Sequence, residues 1–173
     1  MENLSINHPN QSFDLKYHHR HLSRIMSVFM QTNRLDECLN AMLEYYLEVF
    51  GGDRVYIFAY NEDYTSQDCL YELAIHPDLV EIDNLQGVSV DVTPWWTEQI
   101  LSDTPIYVAS LDQLPFEAAS EQHILAAQGI TSIMVVPMHV HGRVWGYMGV
   151  DLVYGAREWT ERDVRKLDSV ANT

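Results

Sequence analysis

Two long apolar segments joined by the dipeptide His141-Gly142 limit what this chain can fold into more than any other feature. The segments, Thr131–Val140 and Val144–Val153, are rich in β-branched residues and have the length of strands. A connection this short allows only an antiparallel hairpin, and Gly142 can supply the positive φ that such a turn needs. This part of the chain therefore predicts an antiparallel sheet.

Shorter strands are predicted earlier in the chain. Arg54–Tyr60 and Cys69–Ile75 are rich in aromatic and aliphatic residues, and the segment Asn61–Asp68 between them is polar. This pattern predicts a second antiparallel hairpin, with the polar segment as its turn. Pro105–Ala109 is a further, short strand candidate.

Helices are predicted where apolar residues recur every three or four positions. The expected elements are a helix beginning near His18, helices over Leu35–Phe50, Pro94–Leu101 and Phe116–Gln128, and a last helix from about Thr160. Thr93 is the expected N-cap of the helix that begins at Pro94. Thr160 and Asp163 resemble a capping box.

The order of these elements indicates an α+β domain. Strands that are connected by hairpins and flanked by helices are typical of an antiparallel sheet. Residues 1–17 are polar, contain Pro9 and show no periodicity. A flexible lead-in is therefore predicted there, followed by one domain over residues 18–173.

The distribution of charge restricts the possible ligands. The chain carries 10 Lys and Arg residues against 25 Asp and Glu residues, a formal net charge of −15. No Lys or Arg lies between Arg54 and Arg143, whereas acidic residues occur throughout that interval. Because phosphate groups are bound by basic side chains, this stretch is predicted to bind neither nucleic acid nor anionic lipid. A ligand held there should be neutral or cationic.

Cysteine content and hydropathy indicate the cellular location to expect for this chain. Two cysteines, Cys38 and Cys69, do not make a disulfide framework, which favours a reducing, cytoplasmic location. The N-terminus lacks the pattern of a secretory signal, and no apolar run has the length of a membrane span. No direct membrane insertion is therefore expected.

Four segments of the chain resemble the GAF domain family, the small-molecule sensor modules of signalling proteins. They are Asp53–Asp63, Asp103–Val108, Gly129–Asp151 and Arg157–Ala171. The third is the most specific, because it combines a strand started by Gly129, a proline within that strand, a tight glycine turn, and Gly146 and Gly149 on the return strand. The resemblance extends from Leu22 to Ala171 and is strongest to the GAF domains of bacterial sensor histidine kinases.

The resemblance implies a GAF/PAS-like central antiparallel sheet with the N- and C-terminal helices on one face. The other face would form a ligand pocket, roofed by residues 78–128. It also implies a non-catalytic regulatory domain of a two-component phosphorelay protein, whose kinase activity would belong to another domain. No cofactor is expected.

The candidate pocket residues are aromatic or apolar side chains of the strands and the roof, together with acids that can reach the sheet face. They are Tyr56, Phe58, Tyr60, Glu72, Trp95, Trp96, Met134, Val136 and Asp151. Aromatic faces inside an acidic rim favour a small neutral or cationic ligand. Core packing of the aromatic residues is the alternative. An error of one residue in the strand phase would move Glu72 or Asp151 to the opposite face.

Other chemistries of the family fit these residues less well. The chain lacks the Asn-Lys-Phe-Asp-Glu set of the cyclic-nucleotide branch, and residues 78–128 contain no cysteine to attach a bilin. Reduction of methionine sulfoxide needs accessible paired thiols, but Cys38 and Cys69 lie on different predicted elements. His139 and His141 provide too few ligands for zinc, so no metal site is expected.

The terminal helices are predicted to form a homodimer that passes on the signal. The residues expected at the helix interface are Leu22, Ile25, Met26, Phe29, Val164 and Leu167. The alternative is that these side chains only cover the sheet of their own chain. For the whole domain, the competing hypothesis is a dimerising interaction module that binds no ligand.

Overall fold

The computed structural model describes residues 35–172, which form a six-stranded antiparallel sheet and four α-helices. The helices are α1 (Leu35–Phe50), α2 (Pro94–Leu101), α3 (Ala119–Ala127) and α4 (Glu161–Ala171). The strands are β1 (Arg54–Tyr60), β2 (Ser66–Ala74), β3 (Val88–Ser89), β4 (Ile106–Val108), β5 (Ser132–Val140) and β6 (Arg143–Leu152). The predicted α+β class is confirmed. The lead-in over residues 1–17 and the helix predicted from His18 lie outside the described residues.

The strand order across the sheet is β3-β2-β1-β6-β5-β4, and each neighbouring pair is antiparallel. Both predicted hairpins, β1–β2 and β5–β6, are present. The turn between β5 and β6 has positive φ at His141 (51°) and Gly142 (75°), as a two-residue hairpin requires. Residues from Leu43 onward form one compact unit that contains the whole sheet.

Three of the predicted elements or connections differ in the structure. β2 begins at Ser66, because Gln67 is buried and pairs with Tyr60 although its side chain is polar. The helix predicted over Phe116–Gln128 begins with a 3-10 turn and becomes α-helical only at Ala119. The two-residue strand β3 is too short to leave a periodic signal in the sequence.

The register of the central strands divides the sheet into two faces. Val55 of β1, Met134 of β5 and Val150 of β6 share a face with α4, which packs against β5 and β6; we call it the helix-side face. Tyr56, Val135 and Gly149 point the other way, toward residues 78–128, and we call this the roof-side face. Residues 78–128 are called the roof below.

The start of α4 is secured by the predicted capping box. The Thr160 hydroxyl accepts from the Asp163 amide at 3.2 Å, and the Asp163 carboxylate accepts from the Thr160 amide at 3.0 Å. Arg157 connects this end to α1, because its guanidinium donates to the Phe50 carbonyl and to Asp163. The same guanidinium lies 4.7 Å above the ring of Trp159. The segment Arg157–Thr160 thus positions the start of α4.

Candidate functional site

A cavity of about 90 Å³ lies between the roof-side face and the roof. It is lined by Arg54, Tyr56, Phe58, Gln67, Glu72, Leu85, Val88, Thr93, Trp96, Glu121, Ile124, Leu125, Gln128, Ile130, Ile133, Tyr147 and Asp151. At about 30 Å³ per water molecule, this space holds about three waters. Pockets for drug-sized ligands usually measure about 300–1,000 Å³. In this conformation the cavity accepts only a ligand of a few heavy atoms.

Tyr147 of β6 forms the centre of an aromatic wall. Its ring stacks on Phe58 with the centroids 4.9 Å apart and meets Trp96 of α2 edge-on at 6.0 Å. Gly149, two residues along the same strand, faces Tyr56, and a Cβ there would come within 2.4 Å of the tyrosine ring. The glycine of the return strand therefore makes room for an aromatic residue of the cavity wall.

A buried ion pair lines the cavity. Nε and Nη2 of Arg54 donate to the two carboxylate oxygens of Asp151 at 2.9 and 3.0 Å, and both side chains are almost fully buried. Nη1 donates to the Leu79 carbonyl of the roof at 3.3 Å. Because all three guanidinium nitrogens are engaged, Arg54 is not poised to bind an anion.

Glu72 of β2 holds the first part of the roof. Its Oε2 accepts from the amides of Glu81 and Ile82, each at 2.7 Å. Burial raises the pKa of Glu72, although these amides favour its charged form. Burial likewise raises the pKa of Asp151 to about 6, against the opposing effect of Arg54. The two acids thus lie in a weakly solvated part of the cavity lining.

A second chain of polar contacts joins the sheet to the roof. The Tyr147 hydroxyl donates to the Gln67 side-chain oxygen at 3.0 Å, and the Gln67 amide nitrogen donates to the Thr93 hydroxyl at 3.1 Å. The Thr93 side chain therefore does not cap α2, contrary to the sequence prediction. Its hydroxyl is used to connect β2 to the start of that helix.

Glu121 of α3 takes over the capping of α2. Its Oε1 accepts from the Trp96 amide at 3.1 Å, and its Oε2 accepts from the Ser120 hydroxyl at 2.7 Å. The side chain is almost fully buried and lines the cavity. A carboxylate at a helix N-terminus is stabilised by the free amides and by the helix dipole. Glu121 therefore brings a carboxylate into the cavity whose hydrogen bonds come from an amide and a hydroxyl and not from a basic side chain.

Five of the nine candidate pocket residues line the cavity: Tyr56, Phe58, Glu72, Trp96 and Asp151. Tyr60 and Trp95 belong to or pack against the same apolar cluster, but they are not part of the lining. The prediction that Met134 and Val136 line the pocket is wrong, because both side chains point to the helix-side face and are fully buried there. The run Ile133–Met138 is apolar throughout, so it contains no alternation from which its phase could be determined.

Sequence reasoning missed four polar or aromatic residues of the site: Arg54, Gln67, Glu121 and Tyr147. The alternation of side chains along a strand would have identified two of them, since Arg54 shares a face with Tyr56, and Tyr147 shares one with Asp151. Gln67 lies in the segment Asn61–Asp68, which the sequence predicts as a turn. No local signal marks Glu121, because its contact with Trp96 joins residues 25 positions apart.

The two cysteines offer no reactive pair. Cys38 and Cys69 are both buried. Burial raises the pKa of the Cys69 thiol to about 12, so the thiol stays protonated at neutral pH. Within residues 35–172, no three His, Cys, Asp or Glu side chains are grouped as metal ligands. In the same part of the chain, every helix is too short or too polar to cross a membrane.

The predicted helix interface is also corrected. Leu167 is fully buried and Val164 nearly so, and α4 packs against β5 of its own chain. These side chains cover the sheet and are not exposed to a second copy, as the alternative hypothesis expected. The other predicted interface residues, Leu22, Ile25, Met26 and Phe29, lie outside the described residues.

A family model and one sequence relative each match most of the chain. The family model of the GAF domain matches residues 34–173. The methanogenesis regulatory histidine kinase FilI of Methanothrix harundinacea (strain 6Ac) is 29% identical over 144 residues, which is 80% of this chain but 16% of that protein. The chain therefore spans only a small part of its relative.

Solved structures share the fold at low sequence identity. A far-red absorbing domain in its dark state, with bound biliverdin IXa, has a TM-score of 0.71 and 19% identity over 87% of this chain and 93% of that one. A domain assigned to a two-component sensor histidine kinase of Sinorhizobium meliloti 1021 has a TM-score of 0.60 and 18% identity, covering 81% and 88% of the two chains.

Proposed function

This chain belongs to the GAF domain family, and we propose that it is a sensory domain that binds a small neutral or cationic ligand beneath its roof. The observation that carries the proposal is the cavity between the roof and the sheet, with an aromatic wall and buried acids. Its polar contacts tie the roof to the sheet at separate points, so a ligand that displaces them would move the roof.

The charges around the cavity favour this class of ligand. Three carboxylates, those of Glu72, Glu121 and Asp151, line it, whereas Arg54 alone is basic among the described lining residues. Arg54 is already bound to Asp151 and Leu79. An anion would therefore meet unfavourable charge and no available guanidinium, whereas an amine could bind a carboxylate and the face of Trp96 or Tyr147.

A bilin is not the ligand that this cavity favours, although several structural neighbours contain one. At about 90 Å³ the cavity is far too small for a tetrapyrrole, and residues 78–128 contain no cysteine to attach one. The fold is shared at 19% identity, which leaves the ligand free to differ.

The similarity to FilI supports a place in histidine kinase signalling. We propose that the chain regulates a kinase in the cytoplasm and that it has no catalytic activity of its own. The buried, protonated thiol of Cys69 argues against the alternative of a free methionine sulfoxide reductase.

Ligand screening tests the sensory function. We expect a library of small amines and neutral metabolites at millimolar concentration to yield compounds that raise the melting temperature and shift the NMR signals of Tyr147 and Trp96. For a cationic compound, Glu121→Gln should weaken binding by about tenfold or more, because a charged hydrogen bond is lost. Glu117→Gln is the matched control, since this roof carboxylate is exposed. If no compound binds the unaltered chain, the sensory proposal fails.

The small volume of the cavity favours a second candidate, an interaction module with a closed pocket. In that case the screen yields nothing, and the domain contributes contacts with partners or with a second copy. Homodimerisation through Leu22, Ile25, Met26 and Phe29 stays a prediction. Light scattering at high protein concentration tests it, and a monomer would contradict it for this chain.

A further inference from the structure

The end of α4 is attached to the sheet by the side chain of Asn172. β4 pairs with residues 133–135 of β5 and extends no further along that strand. Beyond it, the Asn172 carboxamide donates from Nδ2 to the Pro137 carbonyl at 3.1 Å, and its Oδ1 accepts from the His139 amide at 2.8 Å. One side chain thus continues the backbone pairing of the strand edge.

The orientation of this carboxamide is determined by its neighbours. Nδ2 also donates to the carbonyl of Asp168 at 3.2 Å and to its carboxylate at 2.9 Å. All the groups around Nδ2 are acceptors, and the His139 amide beside Oδ1 is a donor. Exchanging the nitrogen and the oxygen would oppose like groups at the Pro137 and Asp168 carbonyls, at the Asp168 carboxylate and at the His139 amide, so Oδ1 must face His139.

The ring of His139 then has acceptors at both nitrogens. Nδ1 lies 2.9 Å from Oδ1 of Asn172, and Nε2 lies 3.2 Å from Oδ1 of Asp103. An amide oxygen and a carboxylate can only accept hydrogen bonds. Both ring nitrogens must therefore carry a proton to make both contacts, and the ring is then an imidazolium.

Asp103 connects this cluster to the roof. It lies two residues after the end of α2 and has a φ of +59°. Its amide donates to the Ile100 carbonyl at 3.0 Å, and the next amide, that of Thr104, donates to the Gln99 carbonyl at 2.9 Å. A displacement of α2 would therefore carry Asp103 with it.

We propose that protonated His139 is a latch that joins roof helix α2 to the end of α4 through Asp103 and Asn172. The latch is closed when the ring is charged and loses one contact when the ring becomes neutral. Its existence requires no ligand. Its use in signalling rests on the proposed function, since a ligand that moves α2 would pull on Asp103.

Charges from each neighbouring element act on the ring. Asp103, after α2, contacts Nε2 of the ring, and Asp168, on α4, contacts the Asn172 carboxamide that faces Nδ1. Arg143 of β6 and Tyr64 of the β1–β2 turn line the same groove as His139. Imidazole side chains exchange their second proton in the physiological pH range, so the latch makes the end of α4 sensitive to pH.

The test uses the ligand-free chain at about pH 6 and about pH 8.5, on either side of the range in which imidazoles titrate. At the lower pH, 15N spectra should show protons on both ring nitrogens of His139. Hydrogen exchange in the last turn of α4, corrected for the intrinsic effect of pH, should be about two- to fivefold slower there than at the higher pH, as expected for a partly exposed ion pair.

Variants separate the latch from general effects of pH. His139→Gln and Asp103→Asn should abolish most of the pH difference, whereas His141→Asn should preserve it. His141 is a suitable control because it lies in the same hairpin at positive φ, which asparagine tolerates. A neutral His139 ring at the lower pH, equal protection at both pH values, or a pH difference retained in His139→Gln would each overturn the proposal. None of these results would affect the ligand screen.

Discussion

The two faces of the sheet use the same strands for different purposes. On the helix-side face, Met134, Val136, Met148 and Val150 are fully buried and apolar, and they require only burial to be stable. On the roof-side face, the alternate positions include Arg54 and other polar groups. Buried polar groups need partners, and these partners come from distant parts of the chain.

This difference explains why the candidate site lies on one face only. α4 is a continuous helix of 11 residues that covers its face with Val164, Leu167 and Ala171. The roof consists of short helices and 3-10 turns, held to the sheet by individual hydrogen bonds of Arg54, Glu72 and Gln67. A cover of this kind leaves a cavity beneath it, whereas α4 fills its face of the sheet with apolar side chains.

The largest effect should come from breaking the ion pair on the roof-side face. Arg54→Met leaves the buried Asp151 without its partner, and we expect the free energy of unfolding to fall by about 3–5 kcal/mol in urea denaturation. Adding Asp151→Leu should restore most of the loss, because two apolar side chains then replace the pair.

Arg165→Met is the matched control for this variant. It removes an exposed pair with Glu161 on α4 and should change the free energy of unfolding by about 0.5 kcal/mol or less. A similar small loss for Arg54→Met would contradict the importance given to polar pairing on the roof-side face.

A slightly smaller effect is expected from the helix-side face. Leu167→Ala removes a fully buried side chain and should lower the free energy of unfolding by about 3 kcal/mol, with little change in ligand binding across the sheet. The exposed Leu70, on β2, provides a control whose replacement by alanine should cost about 0.5 kcal/mol or less. Unchanged stability together with a dissociated dimer would instead place Leu167 at an interface between chains.

The smallest effect is expected when the native chain is treated with an alkylating reagent for the thiol of Cys69. Its thiol is buried within the roof-side cluster, and burial raises its pKa to about 12, so almost no thiolate exists near pH 8. Iodoacetamide should leave Cys69 unmodified in the native chain and modify it fully in urea, as measured by peptide mass spectrometry. Rapid modification of the native chain would show that the roof opens or that the thiol is activated.

Much of the fold could be predicted because it depends on neighbouring residues. The bounds of β1, α1 and α2 agree with the patterns of Arg54–Tyr60, Leu35–Phe50 and Pro94–Leu101. His141-Gly142 adopts the expected turn, and Thr160 forms the expected capping box with Asp163. In each of these cases the deciding contacts lie within a few residues along the chain.

The candidate site could be predicted only in part. Alternation along β1 puts Tyr56 and Phe58 on one face, and both line the cavity, while the glycine pattern of β6 marks the strand that carries Asp151. On β5, where both faces are buried, the same reasoning selected Met134 and Val136, which lie on the wrong face. A pattern can determine the phase of a strand only where its two faces differ in polarity.

The amino-acid sequence alone determined the order of the longer elements, the antiparallel hairpins, the resemblance to the family and the acidic character of the middle of the chain. The tertiary structure decided which face each side chain of β5 occupies, how small the cavity is, and how Glu121, Gln67 and His139 are bonded. The reason is physical: helix and strand periodicities and turns arise from local backbone geometry, whereas a buried polar side chain takes whichever partner the fold brings within hydrogen-bond distance.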